Sequence, residues 1–389
     1  MTMMQAVYHL HPEASVTYRF YCRNAPRSMP LNRREQKAWV KTVCRELDHL
    51  CALSFSHEDI AYLRSFPFFH RDFLSWLSEF RLNREHICVS ESDTGLLSIR
   101  IDGPWVRTIL FEVPVLAIVS SLYSTALYGE EHDALAEGRR RLELKIDQLL
   151  RMHEKGRLDQ FRFVDMGTRR RFSGPWQEHV LKRFHDACPT LFLGTSNVHY
   201  AKKMGLPCYG TMAHEWLQAY QRISRNLRSF QKDALADWLR EYPEHLGIAL
   251  SDVLGFRAFL SDFGPDLARR YAGVRHDSGD PFSWARLLID HYIDSGIDPA
   301  GKTAVFSDGL DFKTAFLIYR TFDHRINMSF GIGTWLTNDM GRIPLQIVIK
   351  MTRFNGLPVL KLSDSEGKIT CEDMGFQNEL KTLFHVQPL

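Results

Sequence analysis

The side chains that could do chemistry are gathered in a few short clusters. They are Asp165-Met166-Gly167-Thr168-Arg169-Arg170-Arg171, Leu193-Gly194-Thr195-Ser196-Asn197, Gly210-Thr211-Met212-Ala213-His214-Glu215-Trp216, Arg275-His276-Asp277-Ser278-Gly279-Asp280, Ser307-Asp308-Gly309 and Phe330-Gly331-Ile332-Gly333-Thr334. Each follows a short apolar run. A strand that hands over to a helix is where α/β proteins expose functional groups. We read the clusters as converging on one anion-rich active site that contains His214.

Gly331-Ile332-Gly333-Thr334 offers small residues, free backbone N–H groups and a hydroxyl, which suit a phosphate at a strand-to-helix turn. A tight turn without a ligand is the plain alternative. Ser307-Asp308-Gly309 repeats the arrangement one unit earlier; Asp308 could bind ribose hydroxyls or simply cap a helix. Arg169, Arg170 and Arg171 cannot all point one way. One of them aimed into the mouth would clamp pyrophosphate or a carboxylate bidentately, and a surface charge run is the alternative. Asp277 and Asp280 beside Gly279 could coordinate Mg²⁺ that carries substrate phosphates, with Arg275 on an anionic substrate. Asp280-Pro281 is also a good helix start, which explains Asp280 but neither Arg275 nor Asp277. His214 has three possible roles: general base, metal ligand or covalent phosphate acceptor. Asp252, at the end of the next strand, could orient its ring.

The elements that must position these groups follow from periodicity. Up to residue 120 the chain reads as α+β: strand Ser15–Cys22, helix Arg33–Leu53, a second helix over 70–82, and strands Ile87–Val89 and Leu96–Ile101. Asp102-Gly103-Pro104 reads as a turn and Val106–Phe111 as a further strand. From about 113 the grammar changes. Helical stretches Pro114–Leu127 and Leu135–His153 lead into short apolar strands alternating with helices, among them Phe161–Val164, Leu191–Leu193, Cys208–Gly210, Gly247–Ser251, Gly273–Arg275, Thr303–Ser307 and Ile326–Phe330. Such alternation predicts a parallel sheet, and about seven units favour a closed or nearly closed barrel, whose functional residues sit at the C-terminal strand ends. Gln346–Met351 and Pro358–Leu362 read as strands returning to the first domain, with turns at Asn355-Gly356 and Glu366-Gly367. The expected domains are 1–120 with 345–389, and a barrel over 121–344.

Composition bounds the rest. A chain of 389 residues, 44% apolar and 24% charged, belongs to the globular class, and a net charge of +3 gives no expectation of nucleic-acid binding. Seven Cys without a Cys-x-x-Cys pair argue against a disulfide framework or a zinc site and fit a reducing cytoplasm. The N-terminus does not read as a signal peptide. The longest apolar run, around Val113 to Val119, is broken by Pro114 and reads as too short to span a bilayer.

Taken in order, the clusters resemble the nicotinate phosphoribosyltransferase family. Pro67-Phe68-Phe69, Ser98 to Pro114, Lys361-Leu362-Ser363-Asp364-Ser365 and Gly367-Lys368 match it as well. The resemblance covers almost the whole chain. It implies a type II phosphoribosyltransferase fold, α/β overall: an α+β N-terminal sheet domain plus an irregular, TIM-like α/β barrel carrying the active site. It implies a cytoplasmic homodimer with shared active sites that takes small molecules and neither nucleic acid nor membrane. The implied reaction condenses nicotinate with phosphoribosyl pyrophosphate to nicotinate mononucleotide and pyrophosphate in NAD salvage, coupled to ATP with Mg²⁺.

Residue by residue, His214 matches the family's phosphorylated histidine, with Asp252 and Asp277 as its catalytic companions. Thr211 and Arg275 match nicotinate positions, joined by Ser196 and Met166. Thr334 matches a phosphoribosyl position. Similarity to nicotinamide-using relatives adds Arg169, Asp308 and Gly331, with Ser307 and Gly333 beside them, and Arg23 reaching a phosphate in the partner's site. Ser196 bears on the substrate: a carboxylate there would favour the neutral amide, whereas a hydroxyl does not repel the acid. In one departure, the family's Asp-x-Tyr-Lys element, whose Tyr stacks on nicotinate, would precede Met1. A nicotinamide- or quinolinate-using enzyme, or a non-catalytic homologue, is the competing expectation. A barrel aldolase would want a Schiff-base Lys or a strand-end metal set, and the sequence displays neither.

Overall fold

The computed structural model describes residues 1–24, 33–91, 97–128, 131–362 and 373–386. Its main strands, in chain order, are β1 (Ser15–Cys22), β2 (Ile87–Glu91), β3 (Leu97–Pro104), β4 (Phe163–Asp165), β5 (Phe192–Thr195), β6 (Ile248–Leu250), β7 (Gly273–His276), β8 (Thr303–Phe306), β9 (Asn327–Ile332) and β10 (Ile347–Phe354). The chain divides into two compact units. One comprises Met1–Glu143, Gly167–Val180 and Leu336–Gly356, and the other Leu144–Met166, Leu181–Trp335 and Leu357–Leu389.

The first unit is built on an antiparallel sheet in the order β10-β1-β3-β2. In β1, Val16 and Tyr18 are buried while Ser15 and Arg19 face out, the alternation of a half-covered sheet. Its register pairs Tyr18 with Met351 and Phe20 with Ile349, so a strand from far down the sequence completes the layer. Asp102-Gly103-Pro104 is no turn: it ends β3, paired with Ser15–Thr17. Gly103 is required there, because a Cβ would meet the His86 ring at 2.2 Å.

Val106–Phe111 is not a strand. Trp105–Thr108 is helical and Ile109–Phe111 continues as a tighter turn, with Trp105, Val106, Ile109 and Phe111 all buried. Helical spacing decides here over the β-branched composition. The helix Glu112–Tyr128 runs straight through Pro114, which lies in its first turn, where a missing N–H is tolerated. Trp105–Leu127 is therefore long and apolar enough to cross a membrane by length and composition, contrary to the sequence expectation. In this fold Val115, Leu116, Ala117 and Val119 of that stretch are core residues.

The second unit carries a six-stranded parallel sheet in the order β5-β4-β9-β8-β7-β6, the sheet of an irregular α/β barrel. Its strands are short and mostly apolar, as in sheets covered on both faces. Phe161, Phe330 and Phe306 stack in succession, with centroids 4.9 and 5.5 Å apart. Cys208–Gly210 does not form the expected strand. Only Cys208 makes a parallel bridge, to Thr195 on the β5 edge. That close approach depends on Gly194, since a Cβ there would meet the Pro207 carbonyl oxygen at 2.2 Å.

Pro358–Leu362 also differs from expectation. Pairing ends at Pro358, and Val359–Leu362 forms a strap in the parallel unit. Gln221 donates to the Leu360 carbonyl at 2.8 Å and accepts from its N–H at 3.0 Å. Arg222 donates to the Pro358 carbonyl at 2.8 Å, and the Leu362 N–H donates to the Val253 carbonyl at 2.7 Å. Glu366-Gly367 lies outside the described residues.

Candidate active site

His214 is the first residue of the helix His214–Ile223, reached from β5 through the Cys208 bridge and Gly210 to Ala213. Its Nε2 is the focus of the site. Asp252 Oδ1 lies 2.8 Å from it, Asp277 Oδ2 3.5 Å and Lys361 Nζ 2.6 Å. Asp252 follows β6 and Asp277 follows β7, so two neighbouring strand ends deliver the acids. The strap Val359–Leu362, held by the His214 helix and by Val253, delivers the lysine.

Each acid has further partners. Asp252 Oδ2 accepts from Lys361 at 2.5 Å and from the Ser278 hydroxyl at 2.7 Å. Asp277 Oδ1 accepts from Arg275 at 2.9 Å and lies 2.9 Å from the Ser307 hydroxyl. Arg275 spreads its remaining donors over Ser307 Oγ and Thr211 Oγ1, both at 2.7 Å. Thr211, Arg275, Asp277 and Ser307 thus form one hydrogen-bonded group and His214, Asp252 and Lys361 another, and the two meet at Asp277 Oδ2, 3.5 Å from His214 Nε2 and 4.0 Å from Lys361 Nζ.

Electrostatics follow from burial and this pairing. Burial lowers the pKa of His214, the Lys361 charge lowers it further, and Asp252 and Asp277 oppose them, so the ring is more acidic than a free imidazole. Burial alone would raise Asp252, but Lys361 and His214 outweigh it and hold the carboxyl well below its ordinary range. Asp277 is likewise held low against burial, by Arg275 first and then by His214 and Lys361. His276 points into the core, edge-on to Trp284 at 5.4 Å, and burial lowers its pKa too. Asp308, Asp252 and Asp277 oppose that lowering, and the ring lies at 3.2 Å from the Gly279 carbonyl oxygen.

Apart from Arg23 and Arg169, the remaining expected positions lie at or just past other strand ends of the same sheet. Met166 follows β4 and packs beside Gly331 at the end of β9; a Cβ on Gly331 would sit 2.4 Å from the Met166 sulfur. The Ser196 N–H donates to the Asp165 carbonyl at 2.8 Å just past β5. Asp308 follows β8, and Thr334 opens the short helix Thr334–Thr337 after Gly333. Arg23 and Arg169 belong to the antiparallel unit. There Arg169 pairs with Glu112 at 2.9 Å, Arg170 donates to the Ile347 carbonyl at 2.9 Å, and Arg171 reaches Gln177 at 3.2 Å. The three adjacent guanidinium groups do point different ways.

The expected metal pair, Asp277 with Asp280, does not form a cation cage. The Asp280 carboxylate caps the helix Pro281–Asp294, accepting from the Ser283 N–H at 2.7 Å. Among the described residues, the group of metal-type donors that includes Asp277 joins it to His214 and Asp252, their atoms all within 4.8 Å of one another. One of the three is an imidazole nitrogen, which Mg²⁺ disfavours, and the Lys361 ammonium already serves both carboxylates. The set fits a proton- and charge-handling cluster better than a magnesium site.

Lys361 is the member that sequence reasoning missed. In the sequence it stands within Lys361-Leu362-Ser363-Asp364-Ser365 with no chemical role assigned, and a strand at Pro358–Leu362 would carry it to the other unit. Ser363 to Lys368 lie outside the described residues.

Comparison with known proteins agrees with this layout. The family model "Nicotinate phosphoribosyltransferase (NAPRTase) family" matches residues 161–388, and the model of its N-terminal domain matches 1–120. A nicotinate phosphoribosyltransferase of Herminiimonas arsenicoxydans is 49% identical over 385 residues, covering 99% of this chain and 95% of that protein. The crystal structure of nicotinate phosphoribosyltransferase from Vibrio cholerae superposes with a TM-score of 0.93 at 39% identity, covering 99% of this chain and 91% of that one. The Porphyromonas gingivalis structure of the same name gives 0.88 at 31% identity, covering 98% and 96%.

Proposed function

The chain belongs to the nicotinate phosphoribosyltransferase family, and from that premise we propose how its parallel unit serves the reaction. That reaction joins nicotinate to phosphoribosyl pyrophosphate, giving nicotinate mononucleotide and pyrophosphate in NAD salvage. We propose further that it is coupled to ATP through a phosphohistidine at His214. The observation that carries this is the crowding of one ring nitrogen. Asp252, Asp277 and Lys361 all approach Nε2, at 2.8, 3.5 and 2.6 Å, which leaves Nδ1 to meet a reactant.

In the proposed first step His214 Nδ1 bonds to the γ-phosphorus of ATP as the bond to the ADP oxygen breaks, and ADP departs with that electron pair. Asp252 accepts the Nε2–H hydrogen bond, and the two carboxylates balance the positive charge that the ring acquires. Water later cleaves the phosphorus–nitrogen bond and releases phosphate. In the transfer step the nicotinate ring nitrogen bonds to the anomeric carbon while the carbon–oxygen bond to pyrophosphate breaks. That transition state is cation-like, as in glycoside chemistry, so positioning and charge do most of the catalysis.

Arg275 and Thr211 are the proposed partners of the nicotinate carboxylate, with Ser196 and Met166 lining the ring. Ser307, Asp308, Gly331, Gly333 and Thr334 are the proposed ligands of phosphoribosyl pyrophosphate. For Arg169 and Arg23 the phosphate role rests on sequence resemblance. Mg²⁺ is proposed to arrive with the phosphates as their counter-ion. Also proposed are a cytoplasmic homodimer with shared sites and a domain division near residues 120 and 345.

The test is labelling with γ-³²P-ATP. The wild type should take up acid-labile, base-stable label, while His214→Ala takes none and retains slow, ATP-independent transfer. Equal labelling of the two proteins would overturn the assignment.

A further inference from the structure

The ammonium of Lys361 is one charge more than the proposed scheme uses. It is also a deliberately placed one. The strap that carries it is clamped at Pro358, Leu360 and Leu362 by Arg222, Gln221 and Val253. Arg222 and Gln221 lie on the helix that begins with His214 itself, and Val253 adjoins Asp252. The lysine side chain is 11% exposed, between an Asp252 side chain at 2% and the His214 ring at 22%.

The geometry poses a choice. A neutral imidazole nitrogen carries either one hydrogen or one lone pair in the ring plane, never both. Yet His214 Nε2 has an obligate acceptor, Asp252 Oδ1, at 2.8 Å and an obligate donor, Lys361 Nζ, at 2.6 Å. Only one of them can be satisfied at a time. Lys361 has other acceptors in reach, Asp252 Oδ2 at 2.5 Å and Asp277 Oδ2 at 4.0 Å, so it can release the ring without losing charge compensation.

We propose that Lys361 is a positioning residue that selects the tautomer of His214. When its ammonium donates to Nε2, the ring proton is held on Nδ1, and that nitrogen has no lone pair with which to attack. When the ammonium turns to the carboxylates, Asp252 takes Nε2–H and Nδ1 becomes nucleophilic. No proton is gained or lost; one moves from Nδ1 to Nε2. The charged groups around the ring are Asp252, Asp277 and Lys361, with Arg275 behind Asp277. Burial and the lysine charge both favour the neutral ring, and the tautomer of that neutral ring is what the Asp252–Lys361 pair can set. The catalytic consequence rests on the phosphohistidine reading; the tautomer itself does not.

The test uses full-length protein labelled with ¹⁵N-histidine, free of ATP, in which the imidazole nitrogen shifts of His214 are assigned by comparison with His214→Ala. Wild type should show the Nδ1–H form. Lys361→Met should show Nε2–H, and its ring should titrate at a pH higher by about one unit or more, because a neighbouring positive charge is gone. Lys361→Arg, which keeps a cationic donor, should return the wild-type form. A purely structural lysine would move neither tautomer nor titration. An Nε2–H ring in wild type, or the same tautomer in wild type and Lys361→Met, overturns the proposal. The wild-type spectrum decides even if the Met variant does not fold. A ring that switches tautomer but never takes label from γ-³²P-ATP would sink the phosphohistidine reading and leave this one standing; label without a switch would do the reverse.

Discussion

Arg275 donates from Nη1 to the Thr211 hydroxyl across 2.7 Å, tying the end of β7 to the segment that leads into the His214 helix. The same guanidinium holds Ser307 Oγ at 2.7 Å and Asp277 Oδ1 at 2.9 Å, so one planar fork organises two strand-end groups and Thr211. Lysine keeps the charge but cannot reproduce that fork. Arg275→Lys should therefore lower kcat/KM for nicotinate by on the order of 10–100-fold, the equivalent of one charge-assisted hydrogen bond of ~1.5–3 kcal/mol. The loss should be smaller with nicotinamide, which lacks the carboxylate. Steady-state kinetics with both pyridines decides, and an equal loss for each would remove Arg275 from carboxylate recognition.

Gly331 is expected to shape the pyridine pocket through its neighbour. A Cβ there would lie 2.4 Å from the Met166 sulfur and 3.0 Å from its methyl carbon. Methionine is flexible, so the side chain should swing away at a cost of about 1–3 kcal/mol instead of unfolding the sheet. Gly331→Ala should then raise KM for nicotinate. Met166→Ala in the same chain should restore part of the lost stability by clearing the clash. Urea midpoints of the single and double variants measure this, and simple additivity would show that the two residues do not interfere.

Much of the architecture was legible because it depends on local periodicity. β1, the helices Arg33–Ala52 and Glu131–Glu154, and the alternation behind the parallel sheet all follow from apolar spacing. Asp252 could be paired with His214 because each follows a short apolar run; Asp252 does end a strand, β6, whereas His214 opens a helix reached through the single Cys208 bridge. Val106–Phe111 misled because a β-branched run at a helix start looks like a strand until burial is known. Cys208–Gly210 misled because a single bridge has the composition of a strand. Lys361 was unreadable for another reason. Its position depends on side-chain clamps from Gln221 and Arg222, more than a hundred residues away, and such contacts have no period. Asp280 suits both a helix cap and a cation ligand by its sequence, and its carboxylate caps the helix, accepting from the Ser283 N–H at 2.7 Å.

Asp252 and Lys361 should be strongly coupled in stability. Each is nearly buried, at 2% and 11% side-chain exposure, and each neutralises the other at 2.5 Å. Asp252→Asn leaves the ammonium short of a counter-charge and should cost about 3–5 kcal/mol, as should Lys361→Met for the opposite reason. The double variant removes both charges and should cost clearly less than the two single losses added together. A double-mutant cycle in urea gives the coupling directly, and a coupling near zero would mean that water already screens the pair.

Acid should destabilise this protein in two stages. His214 and His276 are both more acidic in the fold than free imidazole, each first because of burial. Below a pH of about 6.5 the unfolded chain binds protons at these residues that the native chain refuses, so stability falls. Asp252 and Asp277 act at lower pH. Their carboxyls are held low in the fold, by Lys361 and by Arg275 respectively, against the opposing effect of burial. Their contribution is complete above the unfolded value of about 3.9 and is lost as the pH falls below it. Urea midpoints for wild type should therefore drop from pH 7.5 to 5.5 and drop again towards pH 3.5. Asp252→Asn, with no carboxyl to titrate at that position, should start lower and show a shallower second drop. A midpoint that stays level down to pH 3.5 would mean that these groups titrate alike in the folded and unfolded chain, and the charge cluster around His214 would not hold as described.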